Sequence, residues 1–181
     1  MANEVYIGAR TLSDLYLGLD IDAAYVGSRD FVATVAGPTI LRPIADVAIQ
    51  SNTTGSYADI DEAVPDNSDF FACTRTNFNY NIFQLTSTAD PNDSTNHKLR
   101  YTAVVSGGSG SIVPRLYEGG TVIWEGASQS IATTDTEYEV TIPTGDIDSI
   151  TDYTDLRLGF RCSYMGFGGS VRIIQAEFEI P

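Results

Sequence analysis

From Lys98 to Ile180 long stretches of the chain exchange apolar for polar residues one by one, and this period of two limits the fold more than any other feature. In "HKLRYTAVV" Leu99, Tyr101, Ala103 and Val105 alternate with Lys98, Arg100 and Thr102. In "EYEVTI" Tyr138, Val140 and Ile142 go one way, and Glu137, Glu139 and Thr141 the other. "SVRIIQAEFEI" sets Ile174, Ala176, Phe178 and Ile180 against Arg172, Gln175, Glu177 and Glu179. Successive strand side chains lie on opposite faces, so these are sheets with one face in a core and one in water. "LYEGGTVIW" reads as a hairpin turning at Gly119-Gly120, where glycine reaches positive φ without steric cost. "GGSGS" at 107–111 reads as a flexible hairpin loop. Roughly eight to ten strands are expected, separated by Asp-, Asn-, Ser-, Thr- and Gly-rich loops. No segment holds a helical apolar period for three turns. The expected fold class is all-β, an antiparallel two-sheet jelly-roll-like β-sandwich over residues 44–181. Leu99, Tyr101, Val105, Leu156, Leu158, Phe160, Phe178 and Ile180 should face inward.

The opening of the chain follows a different rule. Tyr6-Ile7-Gly8, Tyr16-Leu17-Gly18 and Tyr25-Val26-Gly27 repeat one phrase within the first thirty residues. The spacing suits one strand and one tight turn per repeat, a small β-meander over residues 1–37. Units below ~40 residues rarely bury enough apolar surface without a disulfide, a metal or a partner. The first forty residues contain neither cysteine nor histidine. The meander is therefore expected to pack against protein, as an attachment or oligomerisation element. Tyr6, Tyr16 and Tyr25 would sit in the interface, with Gly8, Gly18 and Gly27 starting the turns. "AGPTILRP", stiffened by Pro38 and Pro43, is expected to be a linker over 38–43.

Charge narrows the partners. The 181 residues carry 24 acids and 10 bases, a net charge of −14. Such a surface repels phosphate backbones and anionic lipid, so neither nucleic acid nor membrane insertion is expected. Met1 is followed by polar Ala2-Asn3-Glu4, so no secretory leader is expected, and no apolar run approaches the ~20 residues of a membrane helix. Cys73 and Cys162 are too few for a disulfide framework; they are expected as free buried thiols. No nucleophile elbow or phosphate-binding loop is present, and His97 is the only histidine, so no enzyme activity and no cofactor are expected.

Two further groups of residues need weighing. Asp59, Asp61, Glu62, Asp66 and Asp69 crowd one loop, Asp146, Asp148, Asp152 and Asp155 another, and Asp90 and Asp93 sit in "DPND". Calcium takes six to eight oxygens, but Asp is also an ordinary turn former, and turns are the expected role. Trp124 with Tyr117, and Tyr153 with Tyr164, could form sugar-stacking platforms; Trp124, alternating with Val122, is expected in the core.

Short Tyr-x-Gly repeats ahead of a β-sandwich resemble accessory virion proteins of tailed bacteriophages. "IDEAVPDNSDFF" at 60–71, "HKLRYTAVV" at 97–105, "LYEGGTVI" at 116–123, "ITDYTDLRLGF" at 150–160 and "AEFEIP" at 176–181 extend the likeness over most of the chain. The resemblance implies a structural component displayed on the virion surface after synthesis in the bacterial host cytoplasm, either a capsid decoration protein or a short surface fibre. It implies capsid or tail subunits and further copies of the chain as partners. The sequence has no extended shaft, which counts against a full-length tail fibre. The alternative expectation is a receptor-binding module of a tail or tail fibre that recognises a host-surface glycan.

Overall fold

A computed structural model of the chain describes residues 37–77 and 79–181, and in the first 36 residues the pairing of two short strands. These are β1 (Tyr6–Ile7) and β2 (Arg10–Thr11), antiparallel, with Tyr6 opposite Thr11 and Ile7 opposite Arg10. The rest of the predicted meander lies outside the described residues. The chain divides into two compact units, Met1–Gly37 and Pro38–Pro181.

The larger unit is all-β and antiparallel. Its strands are β3 (Thr39–Leu41), β4 (Pro43–Ala48), β5 (Thr53–Thr54), β6 (Phe71–Cys73) and β7 (Asn81–Leu85), then β8 (Lys98–Glu118), β9 (Thr121–Glu125), β10 (Gln129–Ser130), β11 (Thr136–Thr141) and β12 (Leu156–Ile180). One four-residue helical turn, α1 (Thr144–Ile147), precedes β12. The segment read as a linker at 38–43 is instead sheet: Thr39, Ile40 and Leu41 pair with Ile180, Glu179 and Phe178, and Pro43 opens β4 opposite Leu85. Proline is tolerated there because β4 begins at Pro43 and lies on an edge, where its missing N–H breaks no inner ladder.

β8 and β12 form the spine, an antiparallel ribbon running from Glu118 opposite Leu156 to Lys98 opposite Glu179. The ribbon folds on itself. Gly166 pairs with Gly108 and Ser170 with Ser106, which leaves Gly107 alone opposite residues 167–169. Gly107 and Gly168 take φ of 69° and 71°, the left-handed region where a Cβ is strained. The buried positions change parity here, from Leu99, Tyr101, Ala103 and Val105 to Ile112 and Leu116 on β8, and from Leu158, Phe160 and Cys162 to Val171 and Ile173 on β12. Residues 107–111, read as a hairpin loop, are thus the crease of a continuous strand. Backbones meet closely at the crease. A Cβ on Gly110 would collide with Val171, and one on Gly169 with the Ser106 carbonyl.

The crease makes two layers from one ribbon. The first holds residues 98–106 of β8 and 170–180 of β12, with β11 beyond β8 and β3, β6 and β5 beyond β12. The second holds residues 108–118 and 156–166, with β9 and β10 beyond β8 and β7 then β4 beyond β12. Their inner faces meet: Tyr101 of the first layer lies edge-on to Phe160 of the second, ring centroids 5.5 Å apart. All eight residues expected inward are buried to 2% exposure or less. The fold is a two-layer β-sandwich around one core. At the Gly119-Gly120 hairpin Glu118 pairs with Thr121, and Gly119 has φ of 56°.

Candidate functional site

His97, Cys73 and Cys162 are all buried in the core region. His97 is 0% exposed, wedged against Phe178 and Tyr153. Its Nδ1–H donates to the Thr95 carbonyl at 3.1 Å, and its Nε2 accepts from the Tyr153 hydroxyl at 3.3 Å. Both ring nitrogens are satisfied in the neutral form, and burial holds the pKa below the ordinary value. Cys73 and Cys162 are free, as the sequence predicts, and meet across the layers. The hydrogen bond with Cys73, then burial, raises the Cys162 thiol well above its usual range. Asn77 Nδ2 donates to Cys73 Sγ at 3.4 Å, and Asn81 Nδ2 reaches the same sulfur at 3.9 Å.

The aspartate loops are turns. Asp66 accepts from the Ser68 N–H, Asp93 from Thr95 and Asp152 from Thr154, and these bonds lower each carboxyl's pKa. Asp59 accepts from the Ser56 N–H at 2.6 Å, closing a 3-10 turn at Tyr57–Asp59. Among the described residues no three acidic, His or Cys side chains converge as a metal-binding group. A recess of about 200 Å³ does gather Asp90, Asp93 and Asp148 around the edge of Tyr153. Burial first, then these carboxylates, push the Tyr153 phenol up to about 12.

The aromatic platforms do not form. Trp124, Tyr117, Tyr153 and Tyr164 are all buried, to between 5% and 9% exposure. Tyr153 borders the acidic recess, whereas the Tyr164 hydroxyl donates to the Gly107 carbonyl at the crease, so this pair serves separate places. Trp124 lies in the core, as its strand position implies.

The outer face of the second layer is built differently. Gly159 lacks a side chain where a Cβ would come within 2.7 Å of the Tyr117 ring, and Tyr80 and Tyr117 fold over the gap, edge to face at 6.3 Å. Arg115 lies 3.9 Å over the Tyr80 ring, and Arg161 lies 5.2 Å over the same ring. Arg115 is ion-paired to Glu125, and Arg157 to Asp155 at 2.9 Å. Arg161 has no carboxylate partner among the described residues. Beside it lies a recess of about 330 Å³ whose polar walls come from Thr76, Asn77, Ser111, Ser128, Arg161 and Ser163, with no acidic group. Asn77 is anchored by its N–H to the Cys162 carbonyl at 2.8 Å, and Thr76 Oγ1 lies 3.3 Å from Ser163 Oγ. The side-chain carbonyl of Asn77, buried, has no hydrogen-bond partner. Sequence reading missed this recess because four separated segments build it; the one signal was Arg161 on the outward positions of "LRLGFRC".

Tyr6, Gly8, Tyr16, Gly18, Tyr25 and Gly27, the predicted interface residues, lie outside the described side chains; of these, Tyr6 is placed only as the partner of Thr11. Fold and site define a small β-sandwich protein with an acidic body. Compared with known proteins, the chain matches no family model and no curated protein sequence.

Proposed function

We propose that the chain is a non-enzymatic structural protein of a phage particle, a capsid decoration protein or short surface fibre, with residues 1–37 as its assembly element. The observation that carries this reading is the contrast between the two compact units. Pro38–Pro181 has a closed core of its own, whereas Met1–Gly37 is shorter than units that fold unaided and repeats an aromatic-glycine phrase three times. Each tyrosine brings a large apolar ring and a hydroxyl that can reach a polar partner, the pairing favoured in interfaces. The non-enzymatic part is supported by the use of His97, Cys73 and Cys162 as core, 0% exposed. A strongly acidic body suits display, since like charges keep particles apart.

The alternative, a receptor-binding module with aromatic sugar platforms, loses its stacking surfaces, because all four candidate rings are buried. A glycan would have to be held by polar contacts. The test is cryo-electron microscopy of purified particles from cells expressing the chain. Density for the sandwich on the outside of head or tail, in fixed stoichiometry, is the expected result. Particles that lack the chain, or carry it only inside, would overturn the reading.

A further inference from the structure

We infer that the recess on the outer face of the second layer binds a carboxylated saccharide, its carboxylate on Arg161 and its hydroxyls on Thr76, Ser111, Ser128 and Ser163. The inference stands apart from the virion reading and would hold for the chain in any setting. Three arginines share this face. Arg115 and Arg157 each hold a carboxylate, and only Arg161 among them faces a recess without one. Arg75 and Arg172 also lack a carboxylate among the described residues, but of the three only Arg161 lines this recess. The Arg161 guanidinium lies over the Tyr80 ring, 5.2 Å from its centroid, and a planar carboxylate matches a guanidinium fork with two parallel hydrogen bonds.

The rest of the wall fits a sugar. Serine and threonine hydroxyls both donate and accept, which matches the dual character of sugar hydroxyls. Thr76, Ser111, Ser128 and Ser163 supply four such hydroxyls around the recess. About 330 Å³ is at the small end of the ~300–1,000 Å³ typical of ligand sites, enough for one ring. A phosphate fits less well. It presents up to two charges to a single guanidinium, and the field of a −14 chain opposes a dianion twice as strongly as a monoanion.

The test is an amide-resolved NMR titration of the full chain with methyl glucuronide, methyl glucoside and inorganic phosphate, each to about 10 mM, where millimolar affinity is visible. Methyl glucuronide should shift the amides of Ser111, Arg161 and Ser163, with the glucoside and phosphate at least about tenfold weaker. Arg161→Met, which keeps an apolar stem against Tyr80, should weaken glucuronide about tenfold or more, with distant amides unmoved. If that variant does not fold, the double variant Ser111→Ala, Ser163→Ala should still lose several-fold in affinity. No shift with glucuronide, equal shifts with glucoside, phosphate binding as tight or tighter, or affinity unchanged in the folded variants would each overturn the proposal.

Discussion

The two outer faces of the sandwich are made by the same two strands and differ in chemistry, although Arg172 lies over the Phe70 ring on the first. On the first layer Arg100 stands among Glu137, Glu139, Glu177 and Glu179, with Lys98 on Glu139 at 3.0 Å and Arg42 on Glu177 at 3.2 Å. Hydrogen bonds from Lys98 and Arg100 lower the Glu139 carboxyl, and the bond to Glu139 raises Arg100. On the second layer arginines lie over tyrosine rings, and the rings are buried beneath them. One face is a half-buried ion lattice. The other has buried rings and arginines layered over the sheet, and beside them lies the polar recess that Arg161 borders.

The contrast depends on the crease, so breaking the crease should have the largest effect. Gly110→Val places a branched side chain where even a Cβ meets Val171 and lies 2.9 Å from the Ser163 carbonyl. Overpacking of this kind costs ~1–3 kcal/mol where the surroundings can give, and more against backbone. We expect loss of the cooperative urea transition, or a midpoint shift equivalent to at least about 3 kcal/mol. Gly145→Ala is the control: nothing lies within 4 Å of its Cβ, and a helical turn gains roughly 0.5–1 kcal/mol from the change.

The faces themselves can be compared next. Tyr117→Ala removes a buried ring from the second layer and should cost about 3 kcal/mol in urea denaturation, with little dependence on salt. Arg100→Met on the first layer should cost about 1 kcal/mol or less, and the cost should shrink as salt screens the lattice. Equal costs at the two sites would remove the distinction between a face held by packed rings and one held by ion pairs.

A smaller effect is readable in pH. Burial depresses His97, so the native ring stays neutral while the unfolded chain takes up a proton near the ordinary value of 6.5. The contribution to stability is complete above about 6.5 and is lost as pH falls from there toward the native pKa. The single histidine makes the check simple: its ring resonances in the native protein should titrate with a midpoint below 6.5. A midpoint at or above that value would contradict the buried, doubly hydrogen-bonded ring.

How much of this was legible in the sequence follows the range of the interactions. Alternation in "HKLRYTAVV" and "SVRIIQAEFEI" gives the core faces directly, because each strand's period is local. Ile173 and Ile174 are both buried where a bulge shifts the register before Gln175, a detail the bare pattern blurs. The fold-over was hidden because "SGGSG" and "MGFGGS" have loop composition, and only their mutual pairing makes them strand. The 38–43 segment misled through its prolines, which an edge strand accommodates. The Arg161 recess was least legible, since Asn77, Ser111 and Arg161 meet only after two strands and a loop are assembled.

We propose that residues 1–37 serve assembly while residues 38–181 fold alone. Sedimentation velocity and thermal unfolding of the full chain and of a chain beginning at Pro38 test it most directly. The account predicts that the shortened chain keeps its melting transition and sediments as a monomer, while the full chain forms an oligomer or joins the particle. In the full chain, Tyr6→Ala, Tyr16→Ala and Tyr25→Ala should each weaken assembly by about 2 kcal/mol. Unchanged assembly by the shortened chain would contradict the claim.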